Sequence, residues 1–528
     1  MHEESKLLSS VHVTGSRVVF TLLLVYCVVG AANVIVDSAG LLHNPWENTY
    51  PEANQTYAAI YTAQTGKLYI PPMSQPPYTP QLYGPLYYAT NAYIAKFAHL
   101  DMDLFIFYSR LSAYIAYLLC GVMVFMICET ADVPLVYAIL AALMMLGHPD
   151  FVGQNASPRP DMLCLLAMLI SLYCAMKWED DVWLGCGLAG AFAGIAFLVK
   201  QSGLAVALAI FVVLFTRKEF KKAAVVTVST ILPVAITFLI LYWRQESFLE
   251  RITAVGNNLW SARDGARFVI NHLLVARWIV PIGIGAMGFG QAVKMGRKPK
   301  MIASFALTNW LVGLATIGQL GGYLNYFLPG LAGCALLLPY AVELFRQHVR
   351  LTASLAIVCA ALLWATTSGY ADEKGASRYF PAPTTDSLTW LRPYRVLSDL
   401  STMTMHGREP MLLDPQTAHM MELTGNWDGT PVLESLERGD YDLIILTRVS
   451  LDHLVPAFRG VSDFSPEQVR IMNEKYEILC STDRSTVLRP REREVAATPE
   501  MFTRMLQEPC WTYLRPRPMN LKLEPGAR

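Results

Sequence analysis

Long apolar runs alternate with short polar breaks over the first 370 residues. The runs fall at roughly 18–36, 104–128, 133–148, 161–178, 182–199, 202–216, 222–243, 275–293, 301–319, 323–345 and 351–370, about eleven in all. A helix needs about 20 apolar residues to cross a bilayer core. Shorter runs such as 202–216 therefore read as tilted or broken helices within a bundle. The first run also has the outline of a signal peptide, with Gly30-Ala31-Ala32 as a small-residue site. Its length, and its ending at Asp37 in step with the other runs, favour a span. The pattern predicts an α-helical polytopic membrane domain over 1–370, with a large first outer loop over 37–103.

Two stretches are neither spans nor plain loops. Pro51 to Gly66 reads as an amphipathic helix, with Pro at its first turn and Tyr57, Ile60 and Tyr61 on one apolar face. Such a helix is expected to lie in the interface plane. Tyr69 to Tyr88 is rich in proline and tyrosine, which suits a stiff segment at headgroup level. Glu246 to His272 has room for a second interfacial helix.

After Ala371 the pattern shortens. Met411 to Asp414 and Tyr441 to Leu446 read as buried strands separated by helical pieces, and Glu477 to Cys480 with Thr486 to Leu488 as a strand pair. Residues 371–528 are therefore expected to form a small α/β domain with parallel strands joined by helices. The last forty residues, rich in Arg and Pro, read as extended.

Charge sets the direction of threading. Arg217, Lys218, Lys221 and Lys222 crowd one loop, and Lys294, Arg297, Lys298 and Lys300 another. Basic loops stay in the cytoplasm, so the N-terminus is expected inside and the C-terminal domain outside. Arg244, Arg251, Arg263 and Arg267 on the outward loop 244–274 go against this rule. They read as a solvated helix face or as phosphate ligands.

Composition agrees with lipid as the solvent. The chain is 53% hydrophobic and 16% charged, against about 25% charged in soluble domains. Basic and acidic residues balance at 42 each, so no basic face points to nucleic acid. Eight of the ten cysteines sit in apolar runs, where Cys packs as a small hydrophobe. Only Cys480 and Cys510 lie in the polar tail, where a disulfide between them is left open.

The chemistry gathers on the outward face. Arg159-Pro160-Asp161 stands at the mouth of one run, Lys200-Gln201 between two others, and Asn325-Tyr326 just inside another. Charged groups at membrane depth are costly and usually line a substrate or ion path. Glu52, at the start of the amphipathic helix, suits a base that takes a proton from an attacking hydroxyl. Arg159, Lys200 and Arg277 suit a phosphate leaving group, whose charge develops in the transition state. Tyr83 and Tyr87 offer flat faces to a sugar ring. Each has a plainer reading: a helix-capping Glu52, an Arg159–Asp161 pair, snorkelling Lys200 and Arg277, a packing bond at Asn325-Tyr326, and an aromatic belt. Convergence on one face is what separate structural roles do not require. No His, Cys or carboxylate spacing marks a metal site, and a divalent metal is left open.

Pro51-Glu52, Gly66-Lys67-Leu68-Tyr69, Tyr83-Gly84-Pro85-Leu86-Tyr87-Tyr88, Arg159-Pro160-Asp161, Lys200-Gln201-Ser202 and Gly322 to Leu328 together resemble bacterial GT-C glycosyltransferases. The nearest branch is the protein O-mannosyltransferase-like and Rgt-type one. Leu413-Asp414 and Gly439 to Leu446 resemble its variable outer domain. The resemblance implies a polyprenyl-phosphate-linked sugar donor, a glycan, lipid or protein acceptor, catalysis on the extracytoplasmic face of the plasma membrane, and Glu52 as catalytic base. It departs at Pro51, where many relatives carry Asp, so any role of that Asp is in doubt here. A lipid-linked sugar flippase or transporter is the alternative, although such proteins often show repeated halves. An assembly factor using the spans only as an anchor is a weaker third reading.

Overall fold

A computed structural model describes residues 2–44, 48, 52–72, 77–79, 81–254, 260–319, 321–347, 391–399, 401–409, 413–446, 463–481 and 486–495. The expected span at 351–370, Glu47, Pro51, Met411-Leu412, Cys510 and the C-terminal tail lie outside these residues. The chain divides into two compact units, residues 1–72 with 81–366, and 73–80 with 367–528. Residues 73–80, expected with the membrane domain as part of the first outer loop, thus belong to the second unit.

The first unit is helical. Its helices are α1 (His2–Leu41), α2 (Glu52–Thr65), α3 (Pro85–Phe97), α4 (Met102–Thr130), α5 (Leu135–Leu146), α6 (Asp161–Lys177) and α7 (Leu188–Val199), followed by α8 (Ala205–Thr216), α9 (Phe220–Arg244), α10 (Phe248–Ala254), α11 (Ala262–Phe268), α12 (Ala276–Ala292), α13 (Arg297–Thr316) and α14 (Leu328–Gln347). The first ten apolar runs all fold as helices. By length and composition, five stretches among the described residues can cross a membrane: 23–41, 102–130, 182–199, 220–244 and 324–344. A sixth is added if 262–273 and 277–292, bent by 95°, count as one span. One of the eleven expected spans, 351–370, lies outside the described residues, and part of the remaining difference has a cause. Polar breaks at His148 to Pro160 and at Lys200-Gln201 cut the helices beside them short, leaving α5 and the 201–216 helix at less than membrane length.

The core forms where α4 and α7 flank α6, α9 packs on α7, and α14 joins α12 and α13. Small residues allow the closest of these approaches. A Cβ at Gly190 of α7 would lie 2.5 Å from the Val226 carbonyl oxygen of α9.

Helix α2 corrects an expectation. It is a helix, but Glu52, Asn54, Gln55, Thr56 and Thr62 are buried, while Tyr57, Ile60 and Tyr61 are half-buried. Its polar face turns into the protein. In lipid the apolar face has no water to escape, so the polar one is free to be the inner one. The stretch expected as a second interfacial helix holds two short helices, α10 and α11. Of the four arginines on loop 244–274, Arg251 is buried and donates to the Pro71 carbonyl, and Arg244, Arg263 and Arg267 are exposed.

The second unit carries a four-stranded sheet of β1 (Val396–Ser398), β2 (Leu443–Leu446), β3 (Tyr476–Ser481) and β4 (Thr486–Pro490), in the order β1-β2-β4-β3. β1 and β2 are parallel, with Val396 opposite Leu443, whereas β4 runs antiparallel to both β2 and β3. The sheet is mixed rather than parallel, and β1 was not foreseen. Leu413 forms an isolated bridge with Tyr78, whose ring lies 5.6 Å from Trp427. Cys480 lies on β3.

Candidate active site

Asp161 opens α6, where the helix dipole favours an anion. Its Oδ1 accepts from Lys200 Nζ at 2.7 Å and from Asn325 Nδ2 at 2.8 Å, and its Oδ2 from Arg159 Nε at 3.2 Å. Each partner is delivered by a helix break. Lys200 sits in extended backbone (φ −150°, ψ 133°) between α7 and the 3-10 turn that leads into α8. Asn325 and Tyr326 lie on the 3-10 turn ahead of α14. Lys200 also stands over the Tyr326 ring, 4.6 Å from its centre.

The Tyr83 loop closes this group. Gly84 N–H donates to the Val199 carbonyl at 3.1 Å, and Gln201 Nε2 to the Leu82 carbonyl at 3.3 Å. A Cβ at Gly84 would fall 2.0 Å from the Leu198 carbonyl oxygen, so only glycine permits this backbone contact. The Tyr87 hydroxyl donates to the Pro158 carbonyl, and its ring lies 5.5 Å from that of Tyr83. Burial pushes the Tyr83 phenol above its ordinary pKa, with Arg159 pulling the other way. Burial alone would lower the Lys200 ammonium, but the Asp161 carboxylate overrules it and raises the group. Arg159 is raised against burial in the same way, through Tyr83 and Asp161. Both cations stay charged, and among the described residues Asp161 is the carboxylate that both of them meet.

Glu52 belongs to a neighbouring group. Its Oε1 accepts from Arg110 Nε at 2.6 Å and its Oε2 from the Asn48 N–H at 2.7 Å, rather than from Arg159 or Lys200. Arg110, 1% exposed, also donates to the carbonyls of Leu41 and Asn44. The Asn48 side chain donates to the Ala156 carbonyl, three residues before Arg159. The two groups are thus joined through residues 156–159.

Arg277 stands apart from both. Its Nη2 lies 3.4 Å from Asp150 Oδ1, and its carbonyl lies 3.1 Å from His148 Nε2. It is the most exposed of the candidate cations, at 36%. Next to it runs an apolar groove lined by Leu23, Tyr26, Cys27, Met144, Val280 and Ile284, with His148 on its wall.

Eight of the nine expected binding residues (Tyr83, Tyr87, Arg159, Asp161, Lys200, Gln201, Asn325 and Tyr326) therefore meet in one group. Glu52 and Arg277 occupy two others. Arg110, Asn48 and Asp150 were missed. Arg110 had a signal, as a lone charge inside the apolar run 104–128; the other two, in polar loops, had none. Among the described residues, no three His, Cys, Asp or Glu side chains gather into a metal-binding group.

This architecture, helices broken by polar turns with a small mixed sheet in a second unit, is the GT-C type of membrane fold. It is shared with ArnT from Cupriavidus metallidurans bound to undecaprenyl phosphate, at TM-score 0.57 and 13% identity over 87% of this chain and 97% of that one. The apo state of the same protein matches at TM-score 0.57 and 12% identity, with the same coverage. No family model matches the chain. No curated protein sequence matches it either.

Proposed function

We propose that the chain is an integral membrane glycosyltransferase. It moves a sugar from a polyprenyl-phosphate donor to an acceptor hydroxyl on the extracytoplasmic face, with inversion. The observation that carries the reading is the apolar groove beside the half-exposed Arg277, set in a fold shared with a structure that holds undecaprenyl phosphate. The apolar lining suits contact with lipid, and the cation nearby suits a phosphate.

In the reaction the acceptor oxygen attacks the anomeric carbon as the bond from that carbon to the phosphate oxygen breaks. The polyprenyl phosphate leaves with the electron pair, and the acceptor proton passes to Glu52. Both Glu52 oxygens already accept one hydrogen bond, but a carboxylate has about four lone-pair sites, so each oxygen can take one more. The cations Arg159 and Lys200, with Arg277, stabilise the leaving phosphate where charge develops. The acceptor is a glycan, lipid or protein, and the N-terminus lies in the cytoplasm.

Glu52→Gln alone does not decide its role, because it strands the buried Arg110. The test pairs Glu52→Gln with Arg110→Met and measures unfolding and consumption of a labelled polyprenyl-phosphate sugar in lipid nanodiscs. We expect the double variant to regain most of the stability lost by Glu52→Gln, while transfer stays at least about 100-fold down. Recovery of transfer with stability would leave Glu52 a structural partner only. A wild-type protein that moves the lipid across a membrane without consuming it would be a flippase.

A further inference from the structure

The proposed reaction uses the carboxylate of α2 but not the buried amides on that helix and on the loop before Arg159. Gln55 lies one turn beyond Glu52 on the same helix, on the polar face that turns inward, and is 1% exposed. Neither Nε2 nor Oε1 of Gln55 has a hydrogen-bond partner. Asn155, fully buried, precedes Ala156, the residue whose carbonyl holds Asn48 against Glu52. Its Nδ2 and Oδ1 are also unpartnered, as is Oε1 of the buried Gln154 beside it. Buried polar groups without partners are costly, and native proteins keep few of them. Here five unpartnered atoms lie on two segments, one the helix that carries Glu52 and the other a loop whose next residue, Ala156, is tied to Glu52 through Asn48.

We infer that Gln55, Gln154 and Asn155 form a recognition site for the hydroxyl groups of a neutral glycosyl unit beside Glu52. An amide offers both donors and acceptors, and a sugar hydroxyl donates and accepts in turn, so the two are complementary. A phosphate would instead call for cations, and none of these three residues supplies one. Buried water fills such sites too, but water gives no preference among ligands. The hydroxyls belong either to the donor's sugar or to the acceptor. The inference rests on the glycosyltransferase reading.

The test uses the full chain in lipid nanodiscs, with Asn155→Leu and the milder Gln55→Met. Probes are undecaprenyl phosphate alone and undecaprenyl phosphate bearing glucose, mannose, galactose or arabinose. We expect wild type to bind at least one sugar-bearing lipid about 10-fold or more tightly than the bare lipid. Each variant should erase that margin, keep its affinity for bare lipid and lose no thermal stability. That outcome assigns the amides to the donor sugar. An unchanged margin, with a several-fold rise in the amount of envelope lipid extract needed for half-maximal donor consumption, assigns them to the acceptor. Variants that change neither quantity, or that only unfold more easily, overturn the inference while wild-type transfer keeps the broader reading intact. Wild type that binds bare lipid but never consumes a sugar-bearing one removes the broader reading, and the inference with it.

Discussion

Helix α6 joins two ends of the bundle that use the same residue types to opposite effect. At its start Asp161, Arg159 and Lys200 pair with their side chains at most 10% exposed. At the far end, about 25 Å away by helix rise, Arg297 reaches Glu219 at 3.3 Å and Glu179 at 3.7 Å, and Lys222 reaches Glu219 at 3.3 Å. Those side chains are 11 to 27% exposed. Wet pairs of this kind contribute about 0–1 kcal/mol each. A buried pair gains little net stability over an apolar replacement, yet breaking it costs about 3–5 kcal/mol. An end that only had to hold helices together would need no dry charge group. The Arg297 end carries a further cation, since Arg217 also reaches Glu219 at 2.9 Å, but its side chain is 42% exposed and solvated by water. At the Asp161 end both cations are buried, and that burial speaks for a ligand.

The sharpest way to break this contrast is Asp161→Asn, which removes the carboxylate that the buried Arg159 and Lys200 share. We expect a loss of about 3–5 kcal/mol in thermal unfolding and no measurable transfer. A loss below about 1 kcal/mol would make the two ends alike. Away from both ends, the second unit shows the effect of burial by pH. Burial, with Arg392 nearby, lowers His406 to about 4. The folded form thus keeps it neutral, and the unfolded chain takes up the proton first as pH falls. Stability present above about pH 6.5 should fall between there and pH 4, by on the order of 2–3 kcal/mol. Hydrogen exchange along β2 at pH 7 and 5 measures it, and His406→Gln should flatten the response. Next, Gly84→Ala forces a Cβ into the Leu198 carbonyl and should cost about 1–3 kcal/mol, with transfer falling more than for the same residue change at Gly187, where a Cβ meets nothing within 4 Å. Smallest is Glu219→Gln, expected below about 1 kcal/mol and shrinking further at 1 M salt, where screening reaches about 3 Å.

Much of this was legible in the residues. Apolar length alone located ten helices, and the polar breaks at 159–161, 200–201 and 325–326 pointed to the group that meets around Asp161. They did so because membrane helices leave few places for polar side chains, so three such places on one face have few partners but each other. Arg277 did not follow, because an arginine at a helix start has several ways to pair, and Asp150 lay in a loop with no periodicity to mark it. The facing of α2 was misread for a physical reason. Amphipathic spacing states which residues share a side, but not whether that side meets water, lipid or protein. β1 was missed because three residues are too few for any alternation to show.

The inverted packing of α2 bears on purification. Its Tyr57, Ile60 and Tyr61 flank lies partly bare on the outside, with no water-loving surface to hold it down once the bilayer is stripped away. Small, highly curved micelles would let this short helix peel off, taking Glu52 and Gln55 with it, while the bundle stays folded and monodisperse. A preparation that is well behaved by size-exclusion chromatography can thus be catalytically dead, and bulky detergents or added phospholipid should revive it.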